Sequence, residues 1–332
     1  MTFPKDYKPS LGLFETEKAI HFIKDYFQRA LAERLTLTRV SAPLFVLSET
    51  GLNDDLNGTE RAVDFTVKET GKHAVIVHSL AKWKRFALHL YGVPMHEGIY
   101  TDMNAIRREE ITDPTHSIYV DQWDWEKVIS ATDRTESYLR GTVESIYHAL
   151  RKTEQALYER FPTEVPKLPE KITFVTSQEL EDMYPTLPSA DRETAYAKEK
   201  GAIFVIGIGE KLRSGKPHDR RAPDYDDWTL NGDIIVWYPT LNRALELSSM
   251  GIRVDSQALQ KQLKAANAED RMQFPFHKAV ANGEYPLCIG GGIGQSRLCM
   301  FLLNKAHIGE VQSSVWPEKT LQSAKDAGVT LL

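Results

Sequence analysis

Ile289-Gly290-Gly291-Gly292-Ile293-Gly294-Gln295-Ser296-Arg297 is the stretch on which the reading of this chain turns. Four glycines in five positions let the backbone approach a ligand closely. The Leu298–Leu303 run that follows reads as a helix, whose N-terminus favours anions. The pattern is not the dinucleotide fingerprint, because Arg297 takes the place of its third glycine, nor a P-loop, because no Gly-Lys-Ser/Thr follows. An arginine fixed there stacks on a base or grips a phosphate oxygen. Taken alone, however, the glycines are better explained by a plain tight turn, since such turns are common.

Working outward, the whole chain sets the class. It has 332 residues, 42% hydrophobic and 26% charged, with 41 Lys+Arg against 46 Asp+Glu and a net charge of −5. That balance argues against non-specific wrapping of nucleic acid, which needs clustered cations. Cys288 and Cys299 are too few for a disulfide scaffold. No apolar run approaches the roughly 18–20 residues of a membrane span, and the first residues lack a signal-peptide core. The expectation is a soluble, cytoplasmic protein with no nucleic-acid or membrane partner. The Pro162–Pro169 connector changes no composition, so one domain over 1–332 is expected, with 1–13 and 318–332 peripheral.

Apolar spacing predicts helices over 14–35, from Ile20, Ile23, Phe27, Leu31 and Leu35, and over 134–161, with two more near 255–267 and 295–305. Strands are expected at Val40–Leu47, around Phe65, and at Ala74–His78, Lys171–Thr176, Ala202–Ile208, Asp233–Tyr238 and Ala244–Met250. Pro43 suits the first of these to an edge. Helices among strands without strict alternation predict an α+β fold, a mostly antiparallel sheet flanked by helices.

The last two strands form a hairpin. Placing Ile234, Val236, Leu245 and Leu247 on the core face turns Asp233, Glu246 and Ser248 to the other. Diagonal neighbours there stand roughly 7–8 Å apart, a gap that one hydrated Mg²⁺ bridges. A plain solvent-facing polar surface is the competing account. The acidic run Asp224-Tyr225-Asp226-Asp227-Trp228 is by default a solvated loop, although carboxylates beside aromatic rings also hold an ammonium group. Asn53-Asp54-Asp55-Leu56-Asn57-Gly58 lacks calcium-loop spacing. His-Glu-x-x-His, Cys-x-x-Cys and Gly-x-Ser-x-Gly are absent, which leaves zinc and serine-nucleophile chemistry unsupported. Lone histidines such as His78 and His116 read as structural.

Three segments, in order, resemble the three motifs of class II aminoacyl-tRNA-synthetase cores: Val40-Ser41-Ala42-Pro43-Leu44; Arg107 with His116–Glu126; and the glycine run ending at Arg297. The resemblance narrows to the ammonia-dependent asparagine synthetases (aspartate–ammonia ligases of the AsnA type). It rests on His78-Ser79-Leu80-Ala81-Lys82-Trp83-Lys84-Arg85, Val120–Trp125, Arg221–Trp228, Asn231-Gly232-Asp233 and Glu246–Arg253, and it covers about residues 14–317.

The resemblance implies a homodimer that converts aspartate, ATP and ammonia to asparagine through β-aspartyl-AMP, releasing pyrophosphate and AMP. By family position, Arg107, Asp54 and Arg297 are catalytic, and Ser79, Lys84, Gln122, Asp124, Asp226, Ser249 and Arg221 bind the amino acid. ATP falls to Arg107, Asp233, Glu246, Leu247, Ser248, Gly292, Gly294 and Arg297, with Mg²⁺ on Asp233 and Glu246. Asp54 is the first candidate to take the ammonium proton and Asp226 the second. Two departures stand out. Only Thr229 and Leu230 separate strings between which the family carries a longer insert, so a shortened surface loop is expected there. Asp55 stands where an amide is usual. A tRNA synthetase would need an anticodon module of about 100 residues, and a non-catalytic paralogue would have lost phosphate-handling residues.

Overall fold

The computed structural model describes residues 3–54, 56, 60–162 and 166–332, so the readings placed on Asp55, Asn57 and Gly58 lie outside the described residues. In chain order the elements begin with α1 (Leu13–Leu35), β1 (Leu37–Arg39), β2 (Phe45–Leu47), β3 (Asp64–Thr66), β4 (His73–Ile76) and α2 (Ala81–Tyr91). The strands β5 (Gly98–Ile106) and β6 (Tyr119–Val128) precede α3 (Glu136–Arg160), β7 (Thr173–Thr176), α4 (Ser177–Met183) and α5 (Ser189–Lys200). There follow β8 (Ala202–Ile206), β9 (Asp226–Tyr238), β10 (Arg243–Arg253), α6 (Ser256–Ala265) and α7 (Pro275–Ala281). The chain ends with β11 (Cys288–Gly294), α8 (Gln295–Leu302) and α9 (Glu318–Asp326).

Among the described residues, eight strands form one sheet in the order β1-β5-β6-β11-β10-β9-β8-β7. Only the two edge pairs, β1 with β5 and β7 with β8, are parallel; the pairs between them are antiparallel. Each long helix follows from its apolar stripe. Ile20, Ile23, Phe27 and Leu31 of α1 and Leu139, Val143, Ile146 and Leu150 of α3 are buried together against Trp123, Trp125, Phe204 and Ile234 of one sheet face. Thr135 caps α3 by accepting a hydrogen bond from the Tyr138 N–H, a contact worth about 1 kcal/mol.

The opposite face is covered at its two ends. Leu80, Trp83 and Leu88, at the start of and along α2, pack there over Ile99, Met103 and Val128, while Leu180 and Ala197 of α4 and α5 pack over Ile203, Val205 and Ile235. Between those apolar clusters lies a polar gap. Period-two alternation creates it: along β6, Trp123 and Trp125 enter the main core, so Gln122, Asp124 and Glu126 point into the gap.

Several local expectations change. The Val40–Leu47 strand is reduced to Phe45–Leu47, which joins the separate sheet β2-β4-β3, and the edge of the main sheet is Leu37–Arg39. Pro43 has no N–H to offer a ladder. The glycine run is a strand rather than a turn. No loop occupies 229–230, because β9 runs unbroken from Asp226 to Tyr238. The acidic run is not solvated either: Asp224, Asp226 and Asp227 are buried.

Candidate active site

The four glycines of β11 make room for their neighbours' side chains. Gly290 pairs with Glu126, and a Cβ at Gly290 would stand 2.0 Å from the Glu126 carboxylate and 2.7 Å from the Arg253 guanidinium. A Cβ at Gly292, opposite Asp124, would stand 2.6 Å from Gln122 Oε1 and 2.7 Å from Asp124 Oδ1. These close approaches, not positive φ angles, explain why a strand here is built of glycine.

Into the space so made project buried charges. Arg253 grips Glu126 with two bonds of 2.7 Å, Nε to Oε1 and Nη2 to Oε2, and its third nitrogen pairs with Asp226. Burial alone would raise the Glu126 carboxyl, but Arg253, with Lys84 adding to it, holds the group below its ordinary range. Lys84 Nζ donates to the Gly291 carbonyl at 2.8 Å and stands 3.2 Å from Asp124 Oδ1. Burial lowers its pKa against the upward pull of Asp124 and Glu126.

Asp54, only 1% exposed, accepts from Ser79 Oγ at 3.0 Å and from the Leu56 N–H at 2.9 Å. Its carboxyl is nevertheless raised by burial, with Lys82 pulling it down and Asp224 pushing it up. On the other side, Arg221 donates to Asp233 at 2.6 Å and to Ser249 Oγ. Burial pushes Asp233 up to about 7, Arg221 opposing and the Glu246 charge adding to it.

Most of these groups border one cavity of about 310 Å³, with Glu126 and Asp233 standing behind Arg253 and Arg221. Asp54, Ser79, Lys84, Arg107, Gln122, Asp124, Arg221, Asp226, Glu246, Leu247, Ser249, Gly292, Gly294 and Arg297 all line it. Arg297 is anchored at the rim, donating to the Thr115 and Glu246 carbonyls at 3.3 and 3.2 Å. The Arg107 guanidinium makes no hydrogen bond or ion pair among the described residues. It also lines a second cavity of about 290 Å³, which shares Arg221 and Tyr225 with the first.

Two expected residues are placed differently. A β-bulge at Leu247 advances the register, so that Ser248 pairs with Ile234 and Ser249 with Asp233. Ser248 therefore turns to the core side, buried with its hydroxyl unpartnered among the described residues, and Ser249 takes the site face. Asp233 does not line the cavity; it sits behind Arg221. Asp233 and Glu246 do share a face as diagonal neighbours, since Glu246 pairs with Ile235. Arg253 and Glu126 were not singled out by sequence reasoning, although the alternation around Trp123 and Trp125 already turns Glu126 to the polar face. A second buried cluster was also missed: Asp224 accepts from Lys82 at 3.0 Å, Arg271 at 2.8 Å and His277 at 2.9 Å.

Solved structures with this fold are class II aminoacyl-tRNA synthetases. Entamoeba histolytica asparaginyl-tRNA synthetase matches with a TM-score of 0.64 at 14% identity, over 90% of this chain and 67% of that one. The Pyrococcus horikoshii asparaginyl-tRNA synthetase complexed with asparaginyl-adenylate matches with a TM-score of 0.62 at 16% identity, over 91% and 70%. The chain thus has the α+β core of class II synthetases, and at these identities the likeness speaks for the fold alone.

Sequence comparison narrows the class. The family described as aspartate-ammonia ligase matches residues 14–328. The aspartate–ammonia ligases of Clostridium perfringens and Limosilactobacillus reuteri are 58% and 57% identical, over 99% and 100% of this chain and 98% and 99% of theirs. This chain belongs to the aspartate–ammonia ligase family.

Proposed function

We propose that this enzyme makes L-asparagine from L-aspartate, ammonia and ATP in two steps within the 310 Å³ cavity. The observation that carries the reading is the unpaired Arg107 guanidinium facing the same cavity as Arg297, Lys84, Asp124 and Asp226. A half-buried cation that lines a cavity without a counter-charge among the described residues suits an anion, and the mixed charges beside it suit an amino acid's ammonium and carboxylates.

In the first step the β-carboxylate of aspartate attacks the α-phosphorus in line and pyrophosphate leaves. No protein nucleophile is needed; alignment and charge neutralisation suffice. Arg107 neutralises the α-phosphate, and Arg297 holds the adenine or the γ-phosphate at the rim. Lys84, Asp124, Gln122, Asp226 and Ser79 hold the amino acid, with Arg221 and Ser249 closing its far side. The backbone at Gly292, Gly294, Leu247 and Ser248 borders the nucleotide.

Asp233 and Glu246, diagonal neighbours on one face of the β9–β10 pair, would hold a hydrated Mg²⁺, with Asp233 sharing its charge with Arg221. Bound there, the ion would screen the triphosphate. In the second step ammonium yields a proton to Asp54, whose raised pKa makes it the stronger base. Ammonia then attacks the acyl carbon, the acyl C–O bond breaks as AMP leaves, and the second proton shed by the new amide nitrogen passes to solvent.

We read the chain as one catalytic unit acting in the cytoplasm as a homodimer, with no nucleic-acid or membrane partner. Incubating the purified protein with aspartate, Mg-ATP and ammonium tests the proposal. Asparagine and AMP should appear in equal amounts; formation of ADP, or no asparagine, would overturn it.

A further inference from the structure

We infer that His78 is the positioning residue that sets Asp54 for the ammonia step; this rests on the role proposed above for Asp54. Asn53, Asp54 and Leu56 lie outside helix and strand, yet Asp54 must be held at the wall of the cavity. Three bonds tie it to the turn between β4 and α2. The Asn53 side chain accepts from the His78 main-chain N–H at 2.9 Å, the Asp54 carbonyl accepts from His78 Nδ1 at 2.9 Å, and the Asp54 carboxylate accepts from Ser79 Oγ at 3.0 Å.

The ring's chemistry is determined by that partner. A carbonyl only accepts, so Nδ1 carries a hydrogen, and in the Nδ1–H tautomer of imidazole Nε2 holds the lone pair. His78 is 1% exposed, and Nε2 is buried without a partner among the described residues. Among the described residues, the bond to Asp54 is therefore the ring's one polar contact. A buried acceptor left unpaired costs stability, and an apolar side chain would fill the space without that cost. What the imidazole adds is its fixed donor to the Asp54 main chain. Without it, the Asp54 backbone is released from one side while Ser79 still pulls on the carboxylate. The carboxylate then shifts relative to the acyl carbon, and small misplacements of a reacting group are expensive in rate. Arg107 and Arg297 stand on other elements; Arg107 shares the wall of the second cavity with His78, but neither arginine is hydrogen-bonded to it among the described residues.

The test separates the half-reactions: aspartate-dependent ATP–pyrophosphate exchange reports the first, and asparagine formation across ammonium concentrations reports the sum. His78→Ala should lower kcat/KM for ammonium about tenfold or more while exchange falls no more than about twofold. His78→Asn, whose amide can donate from near the Nδ1 position, should recover most of that loss; His78→Gln, whose amide lies near Nε2, should not. If Ala unfolds the protein, the Asn and Gln pair carries the test alone. Equal losses in both half-reactions, no loss in either, or Gln matching Asn would each overturn the inference. Asp54→Asn is run beside them: if it lowers both half-reactions alike, the role of Asp54 itself fails, an outcome distinct from failure of His78 alone.

Discussion

Arg107, half-buried, and Arg253, buried, line one cavity and answer opposite questions. Arg107 has no partner among the described residues, so its removal should cost the fold little and the reaction much. Arg107→Ala and Arg297→Ala are each expected to lower aspartate-dependent pyrophosphate release by about 10²–10³-fold, with the circular dichroism spectrum unchanged; rates near wild type would contradict the roles given them. Arg253 is the reverse case, since it neutralises Glu126 and Asp226. Arg253→Gln leaves both carboxylates uncompensated and should destabilise by about 3–5 kcal/mol in urea unfolding. The pH dependence has a definite sign. Despite burial, Arg253 keeps Glu126 below its ordinary 4.5, so this stabilisation is present above pH 4.5 and is lost as pH falls through the lower folded value. The wild-type protein should show that acid loss in thermal unfolding, and the variant should lack this contribution even at neutral pH.

At the scale of elements, β11 and β10 shape the gap by what they omit and by one extra residue. Gly290→Ala puts a methyl 2.0 Å from a carboxylate whose position is locked by Arg253, so neither neighbour can retreat. Overpacking of this kind typically costs about 1–3 kcal/mol, and the melting temperature should fall. Gly292→Ala meets the tip of Gln122 and the carboxylate of Asp124 instead. The Gln122 tip can swing aside, but Asp124 is held by Lys84 and the Leu80 N–H, so the expected result is a higher KM for aspartate together with a lower melting temperature; an unchanged KM would contradict it. The bulge at Leu247 does a related job. It keeps Leu245 and Leu247 in the core while bringing Ser249, not Ser248, opposite Asp233. Simple alternation along β10 predicts the reverse, because a bulge adds a residue without any signature in hydrophobic pattern.

At the scale of the molecule, one sheet face is covered throughout by α1, α3 and α8, and the other is covered only at its ends. The uncovered middle is the cavity. Phe45 and Phe65 of the small sheet remain 47% and 40% exposed with their rings 5.1 Å apart, an apolar pair suited to a partner surface. Sedimentation at micromolar concentration is expected to give a species of two chains; a monomer would count against the dimeric reading.

The periodic helices α1 and α3, the apolar strands and the strings around Arg107 and Arg297 were legible in the residues alone, because each depends on local spacing or on a run of unusual residues. The helix α2 was not. Its Lys82, Lys84 and Arg85 break any apolar stripe, and they are buried only because Asp224, Asp124 and the carbonyls of Val254, Pro286 and Gly291 reach them from distant elements. The sequence by itself determined which chemical groups this protein carries and where its regular helices run. Which charges are buried, which serine faces the cavity and which carboxylate stands behind an arginine were decided by strand register and by packing between segments far apart in the chain, where no local pattern reports.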